Sequence, residues 1–204
     1  MKRFDNNQFR LNKLLIILVT LIVSCYSANA QNKARFDAML DLSYSFSMNA
    51  NKYNSGGIGG TAGVLLLNDW LFLGGGAKFG FDKYEFPLVK GKYTQATIYA
   101  DARLYIPLKN DMARTYLDFK IGTSGADPKF SKEDATTITT YKDLILGGPY
   151  RSLGLGIRIP VEGSTDVGLG IYYDYYELTI KRKKEPILGA GVVENFMIKL
   201  EWYF

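Results

Sequence analysis

The 204 residues contain no histidine and a single cysteine, Cys25. That composition removes Ser-His-Asp and Cys-His nucleophile pairs, histidine-ligated zinc and any histidine general base. Of the remaining acid/base groups, Asp37, Asp41, Asp101 and Asp118 could make a carboxylate acid/base or divalent-metal site, but equal numbers of cations are available to satisfy them. Gly57-Ile58-Gly59-Gly60-Thr61-Ala62 matches the pattern GxGxxA, with Asp82 twenty residues further on. A dinucleotide site needs a helix after that turn, whose amino end holds the pyrophosphate; here a period-two segment follows. No catalytic residue, cofactor or metal is therefore expected. Lys181-Arg182-Lys183-Lys184 could bind an anion or be a solvated charge run.

The first thirty residues read as an export signal and carry no fold information. Lys2, Arg3, Arg10 and Lys13 precede an apolar stretch from Leu14 to Val23, and Ala28-Asn29-Ala30 supplies small residues before Gln31. Cleavage is expected after Ala30. The apolar stretch is about half the roughly 20 residues that a bilayer helix needs. Ile22-Val23-Ser24-Cys25 leaves open an alternative, lipidation at Cys25. Losing the leader takes the formal charge from +5 to +2, so the basic pI of the whole chain does not imply nucleic-acid binding. The chain beyond it has no cysteine and must hold together without disulfides.

From Gln31 onward the segments alternate with period two between clusters of Gly, Asn, Asp and Pro. Eight strands are expected, at 35–47, 57–66, 70–82, 94–106, 114–123, 151–161, 166–177 and 192–204. One parity of each is uncharged, as in Phe36, Ala38, Leu40, Leu42, Tyr44 and Phe46, or Leu153, Leu155, Ile157, Ile159 and Val161. The other parity carries Arg35, Lys78, Arg103, Arg114, Lys120, Arg158 and Lys199 against Asp37, Asp41, Asp82, Asp101, Asp118, Asp174 and Glu201. Seven cations face seven acids.

A soluble sandwich or lipocalin-like barrel would turn the apolar parity inward. A transmembrane barrel reverses the faces, with apolar side chains on lipid and polar ones in the lumen. Three features favour the second. The short links near 67–70, 108–112 and 162–165 alternate with longer ones near 48–56, 83–93, 124–150 and 178–191, as periplasmic turns alternate with external loops. Rings fall at both ends of the apolar band, Phe36, Trp70, Trp202 and Phe204 at the short-turn end and Tyr44, Phe46, Phe79, Phe81, Tyr173 and Tyr175 at the other. The last strand places Phe196, Ile198, Leu200, Trp202 and Phe204 on one face and stops on an aromatic residue.

That last strand resembles the terminal insertion signal of bacterial outer-membrane barrels. The chain beyond the leader is similar to the small eight-stranded outer-membrane β-barrel family, the barrels of OmpA and OmpX and the outer membrane protein β-barrel domain group common in Bacteroidota. The resemblance implies an all-β, antiparallel up-and-down transmembrane barrel in a Gram-negative outer membrane. It also implies recognition by the barrel-assembly machinery and contact with outer-membrane lipid and lipopolysaccharide, where the basic run 181–184 could meet phosphates.

An eight-stranded barrel is just wide enough for its interior to fill with side chains. The fourteen charges, with Tyr99, Tyr105, Tyr116, Tyr172, Tyr176 and Tyr203 on the same parity, are expected to pack as an ion-pair network without an open channel. Gly74, Gly76, Gly80, Gly154, Gly156, Gly168 and Gly170 share that parity and are expected to leave room for the larger side chains. The leading expectation is a non-enzymatic barrel with a structural, adhesion or partner-binding role through its loops. One alternative is a membrane-embedded subunit of an envelope or secretion assembly, docking an envelope protein through those loops; another is a soluble exported barrel that binds an apolar ligand. A strand edge in the threonine-rich segment 136–141 is a further candidate for pairing with a partner.

Overall fold

The computed structural model describes residues 34–48, 54–86, 89–108, 113–130, 144–161, 165–182 and 189–204. The leader therefore lies outside the described residues. Eight strands follow in order: β1 (Arg35–Ser47), β2 (Asn54–Leu66), β3 (Leu71–Phe86), β4 (Val89–Pro107), β5 (Arg114–Phe130), β6 (Leu144–Pro160), β7 (Asp166–Arg182) and β8 (Gly189–Tyr203). Each pairs antiparallel with the next, and β8 pairs back onto β1, so the sheet is a closed barrel. Closure leaves no strand edge within the wall, which is what allows a β-structure to sit in hydrocarbon.

The register fixes the stagger of the closure. Cross-strand partners lead from Phe36 through Val64, Leu73, Ala102, Phe119, Leu153, Tyr173 and Phe196, and return to β1 at Phe46. The return is ten residues along the strand. An even stagger preserves the inside/outside parity all round the wall; an odd one would flip it. With a rise of about 3.3 Å and a strand spacing of about 4.8 Å, it tilts the strands by about 40°. The stretch from Phe36 to Phe46 then spans about 25 Å along the axis, the height of the apolar band of an outer-membrane barrel.

The faces are unambiguous. Leu40, Ile98, Leu155 and Leu200 are 52%, 66%, 57% and 38% exposed, whereas Arg103 and Asp118 are 0% exposed. A soluble barrel with an apolar interior is excluded by that arrangement. The aromatic residues expected at the two ends of the band, Phe36, Trp70 and Phe204 at one and Tyr44, Phe46, Phe79, Phe81 and Tyr173 at the other, are exposed on the outer wall.

Two expectations need correction. Five strands run well beyond their expected ends at the long-link side: β3 continues to Phe86, β5 to Phe130 and β7 to Arg182, while β4 already begins at Val89 and β6 at Leu144. The supposed loop 83–93 is largely hairpin, with only 87–88 between the strands. Period-two alternation reports burial of one face, and it fades where both faces leave the apolar band even though ladder hydrogen bonds continue. The difference between the two ends therefore lies less in connection length than in how far the strands project.

At the other end the β2–β3 turn passes through Leu67, Asn68 and Asp69, with φ of 53°, 57° and 67°. Asn and Asp tolerate this left-handed region, while a leucine there carries a cost of about 1–2 kcal/mol. Asp69 forms ion pairs with Arg35 at 3.3 Å and Arg114 at 3.6 Å.

Candidate functional site

The barrel interior is where the charged parity converges. On β4 and β5, Asp101 lies opposite Lys120 and Arg103 opposite Asp118, so two opposite-charge cross-strand pairs stack one above the other. Arg103 reaches across the barrel from there: its two Nη atoms each donate to a different Glu201 oxygen at 3.0 Å, and Nη2 donates to Asp118 Oδ2 at 2.6 Å. Lys120 Nζ donates to Asp101 at 2.5 Å and lies 3.1 Å from Asp118.

Tyrosines complete the shell. Tyr116 donates to Glu201 at 2.8 Å, and Tyr172 lies 3.0 Å from both Asp118 Oδ2 and Glu201 Oε1. The Tyr203 hydroxyl bonds both Arg103 and Glu201. The Arg103 guanidinium lies 4.3 Å from the centre of the Tyr116 ring, and Lys199 Nζ is 4.3 Å from that of Tyr172. Charge-assisted and bidentate bonds of this kind are the strong ones, and they satisfy groups that would otherwise be buried at a cost of several kcal/mol each.

Two further links cross the lumen. Arg158 on β6 donates to both oxygens of Asp37 on β1, at 2.7 and 3.3 Å, and through Nε to Asp166 at 2.7 Å. Lys78 on β3 donates to Asp174 on β7 at 3.4 Å, and Asp174 also accepts Tyr150 and Tyr176 at 3.2 Å. Lys199 faces Asp41 at 4.0 Å.

Of the fourteen charges expected inside, eleven are buried: Asp37, Asp41, Lys78, Asp101, Arg103, Asp118, Lys120, Arg158, Asp174, Lys199 and Glu201. The Asp82 side chain lies outside the described residues. Arg35 and Arg114 do not join the network; they sit at the short-turn rim with side chains 57% and 38% exposed, both on Asp69. Their parity is right, but each is the first residue of its strand, so its side chain leaves the barrel mouth instead of entering it. The described interior thus holds six acids and five cations, not a balanced seven and seven.

The four aspartates considered as an acid or metal site are separated by this pairing. Asp37 goes to Arg158, Asp41 to Lys199, and Asp101 and Asp118 share Lys120. Among the described residues no group of three or more His, Cys, Asp or Glu side chains converges as a set of metal ligands. Gly57 to Ala62 lies inside β2, with no helix after it. Lys181 and Arg182 end β7, in register with Ile145 and Leu144; Lys183, Lys184 and the segment 136–141 lie outside the described residues. Phe196, Ile198 and Leu200 face outward on β8, and Phe204, just past its end, is exposed as well.

Reading only the charged parity missed an apolar plug. Met39, Leu65, Phe72 and Met197 are buried on the inward parity and pack with Tyr105, Tyr116, Tyr172 and Tyr203. Their parity alone, odd in β1, β2 and β8 and even in β3, was the available signal. The glycines give these side chains space: a Cβ on Gly154 would stand 2.1 Å from the Tyr172 ring, and one on Gly156 2.3 Å from the Tyr116 hydroxyl.

The comparison with known proteins agrees with this architecture. A family model described as "Outer membrane protein beta-barrel domain" matches residues 15–186. The chain belongs to that outer-membrane β-barrel family. Curated protein sequences give no match. Among solved structures the barrel is similar to Neisserial surface protein A, with a TM-score of 0.54 at 13% identity, covering 84% of this chain and 97% of that one. The outer membrane enzyme PagL superposes with a TM-score of 0.46 at 8% identity, over 80% of this chain and 97% of that one. Ail of Yersinia pestis gives 0.40 at 14% identity, over 83% and 100%. Identities this low speak to the fold alone. Family and fold together place the protein in the outer membrane.

Proposed function

We propose that this outer-membrane barrel is non-catalytic and non-conducting, and acts as a structural, adhesion or partner-binding protein through its projecting strands and loops. The observation that carries this reading is the set of three salt links that cross the lumen between non-adjacent strands: Arg103 to Glu201, Arg158 to Asp37 and Lys78 to Asp174. Side chains so tied leave ions no continuous path, and the acids and cations satisfy one another instead of meeting a substrate. The apolar plug of Met39, Leu65 and Phe72 supports the same reading. In this proposal residues 1–30 are an export leader, the barrel-assembly machinery inserts the chain, and partners dock at the end where β3 to β8 project.

Single-channel recording of the purified full chain in planar bilayers tests the closed lumen. The expected trace shows no stable unitary steps; reproducible large-conductance steps would refute the proposal. Affinity capture in mild detergent then tests the role: a stoichiometric envelope partner, lost when the projecting strands are shortened, marks a docking subunit.

A further inference from the structure

The apolar wall does not reach the same height all the way round. For this tilt, one residue along a strand rises about 2.5 Å along the axis and one step to the next strand about 3 Å. Measured upward from Phe36, the last exposed rings stand at about 25 Å for Phe46 on β1 and about 26 Å for Phe81 on β3. Tyr175 on β7 and Phe196 on β8 stand at about 24 and about 22 Å. On β5 and β6 the last large apolar side chains stop lower, Ile121 at about 18 Å and Leu153 at about 16 Å. Ile58 on β2 is equally low, but Gly56 above it lies between Tyr44 and Phe81 in register, so rings flank it on both sides.

Above Ile121 and Leu153 the wall turns polar at once. Thr123 and Pro149, opposite one another, and Arg151, all exposed, occupy the heights from about 21 to about 26 Å. Among the described outward-facing residues between the levels of Phe36 and Phe46, Arg151 is the charged one. Its guanidinium lies 4.0 Å from Glu177, which sits above the rings, so it turns up towards water and away from the wall. The ladder gives an independent sign. Pairing of β6 with β7 runs from Leu144 to Gly147 and resumes at Tyr150, omitting Gly148 and Pro149. Pro149 has no N–H to give, and the Gly148 carbonyl accepts the Thr123 hydroxyl at 3.3 Å instead. An interrupted ladder is tolerable beside water and headgroups and costly in hydrocarbon. Directly beneath, a shallow groove of about 240 Å³ between Phe119, Leu153, Tyr173 and Tyr175 keeps the wall apolar up to Arg151.

We propose that the outer leaflet is thinned against β5 and β6, its headgroup layer lying about 6 Å lower there than against β1 and β3. A bilayer adjusts to the height of the wall beside it at a modest cost per ångström, whereas a charge on the lipid face is penalised according to its depth. A short wall topped by Arg151 therefore draws headgroups down. A rigid lean of the barrel is a different arrangement, because it would sink the lower end of β5 into hydrocarbon as the upper end emerged. In the thinned arrangement β5 and β6 form the side on which water and headgroups come furthest down the barrel. The inference rests on the heights of the outer wall, and not on the sealed lumen or on any role of the loops.

Nitroxide labels on single cysteines in the full C25S chain, reconstituted in phosphatidylethanolamine–phosphatidylglycerol vesicles, test it. Collision with oxygen reports hydrocarbon, and collision with a nickel chelate reports water. Thr123 on β5 and Gly56 on β2 share a height of about 23 Å, and a Cβ on Gly56 meets nothing within 4 Å. Relative to oxygen, T123C should meet the chelate several-fold more often than G56C. T115C and V64C, both at about 3 Å, should read equal depths. In T123L/R151L a label at P149C should become several-fold less accessible to the chelate, while heat-modifiable migration shows the barrel intact. Equal readings at T123C and G56C would overturn the proposal, as would unchanged access at P149C. A T115C label deeper than V64C would mark a rigid lean and overturn it too. Conductance reports on the lumen and these labels on the wall, so the two proposals fail separately.

Discussion

Replacing Arg103 with methionine tests how dry the lumen is. Arg103 is wholly buried and bonds Asp118 at 2.6 Å and both Glu201 oxygens at 3.0 Å. The variant leaves six acids facing four cations among the described interior side chains; Glu201 loses the guanidinium that binds both its oxygens, and Asp118 keeps only Lys120 at 3.1 Å. Breaking a buried ion pair by removing one partner costs about 3–5 kcal/mol. A water-filled lumen would give a much smaller loss, because two unit charges about 4 Å apart interact by about 1 kcal/mol in water and about 4 kcal/mol in a medium of effective dielectric 20. Removing Glu201 as well, in R103M/E201M, returns the interior to a one-charge imbalance and should recover about 2 kcal/mol of the loss. The assay is urea unfolding of the refolded barrel in detergent micelles, followed by the fluorescence of Trp70 and Trp202 and by heat-modifiable migration. Coincident transitions establish that the midpoints can be compared. A loss below about 1 kcal/mol for R103M would refute the packed lumen and point to a hydrated one.

Two smaller perturbations address the wall and its turn. Gly154→Val puts side-chain atoms where the Tyr172 ring lies 2.1 Å from the Cβ position; overpacking should cost about 1–3 kcal/mol, and an unchanged urea midpoint would show that Tyr172 has room to move. Leu67→Gly relieves a left-handed leucine at φ 53° and should raise stability by under about 1 kcal/mol in detergent, after glycine's own entropic penalty. A loss there would mean that the half-exposed leucine contributes more through its side chain than its backbone conformation costs.

How much of this was legible in the sequence differs from residue to residue. Phe36, Leu40 and Phe46 reveal their face because each strand repeats the in/out choice every second residue, and a strand needs no knowledge of its neighbours to do so. Strand number, antiparallel order and the buried positions of Arg103, Asp118 and Glu201 follow from that local code. The projecting parts of β3 to β7 do not, since outside the apolar band pairing continues without leaving an alternating pattern. Arg35 and Arg114 carry the inward parity and still miss the interior, because a strand's first residue points past the mouth of the barrel. The apolar plug of Met39, Leu65 and Phe72 was hidden by attention to charge.

The one-dimensional chain therefore determined which side of each strand meets lipid and which meets the lumen. Who meets whom inside was decided only by closure. Arg103 and Glu201 are 98 residues apart in sequence, and their contact depends on eight registers adding to a stagger of ten. A slip of two residues in any register would keep every side chain on its own face and yet give Arg103 a different partner. Parity is a property of a strand, whereas partnership is a property of the ring.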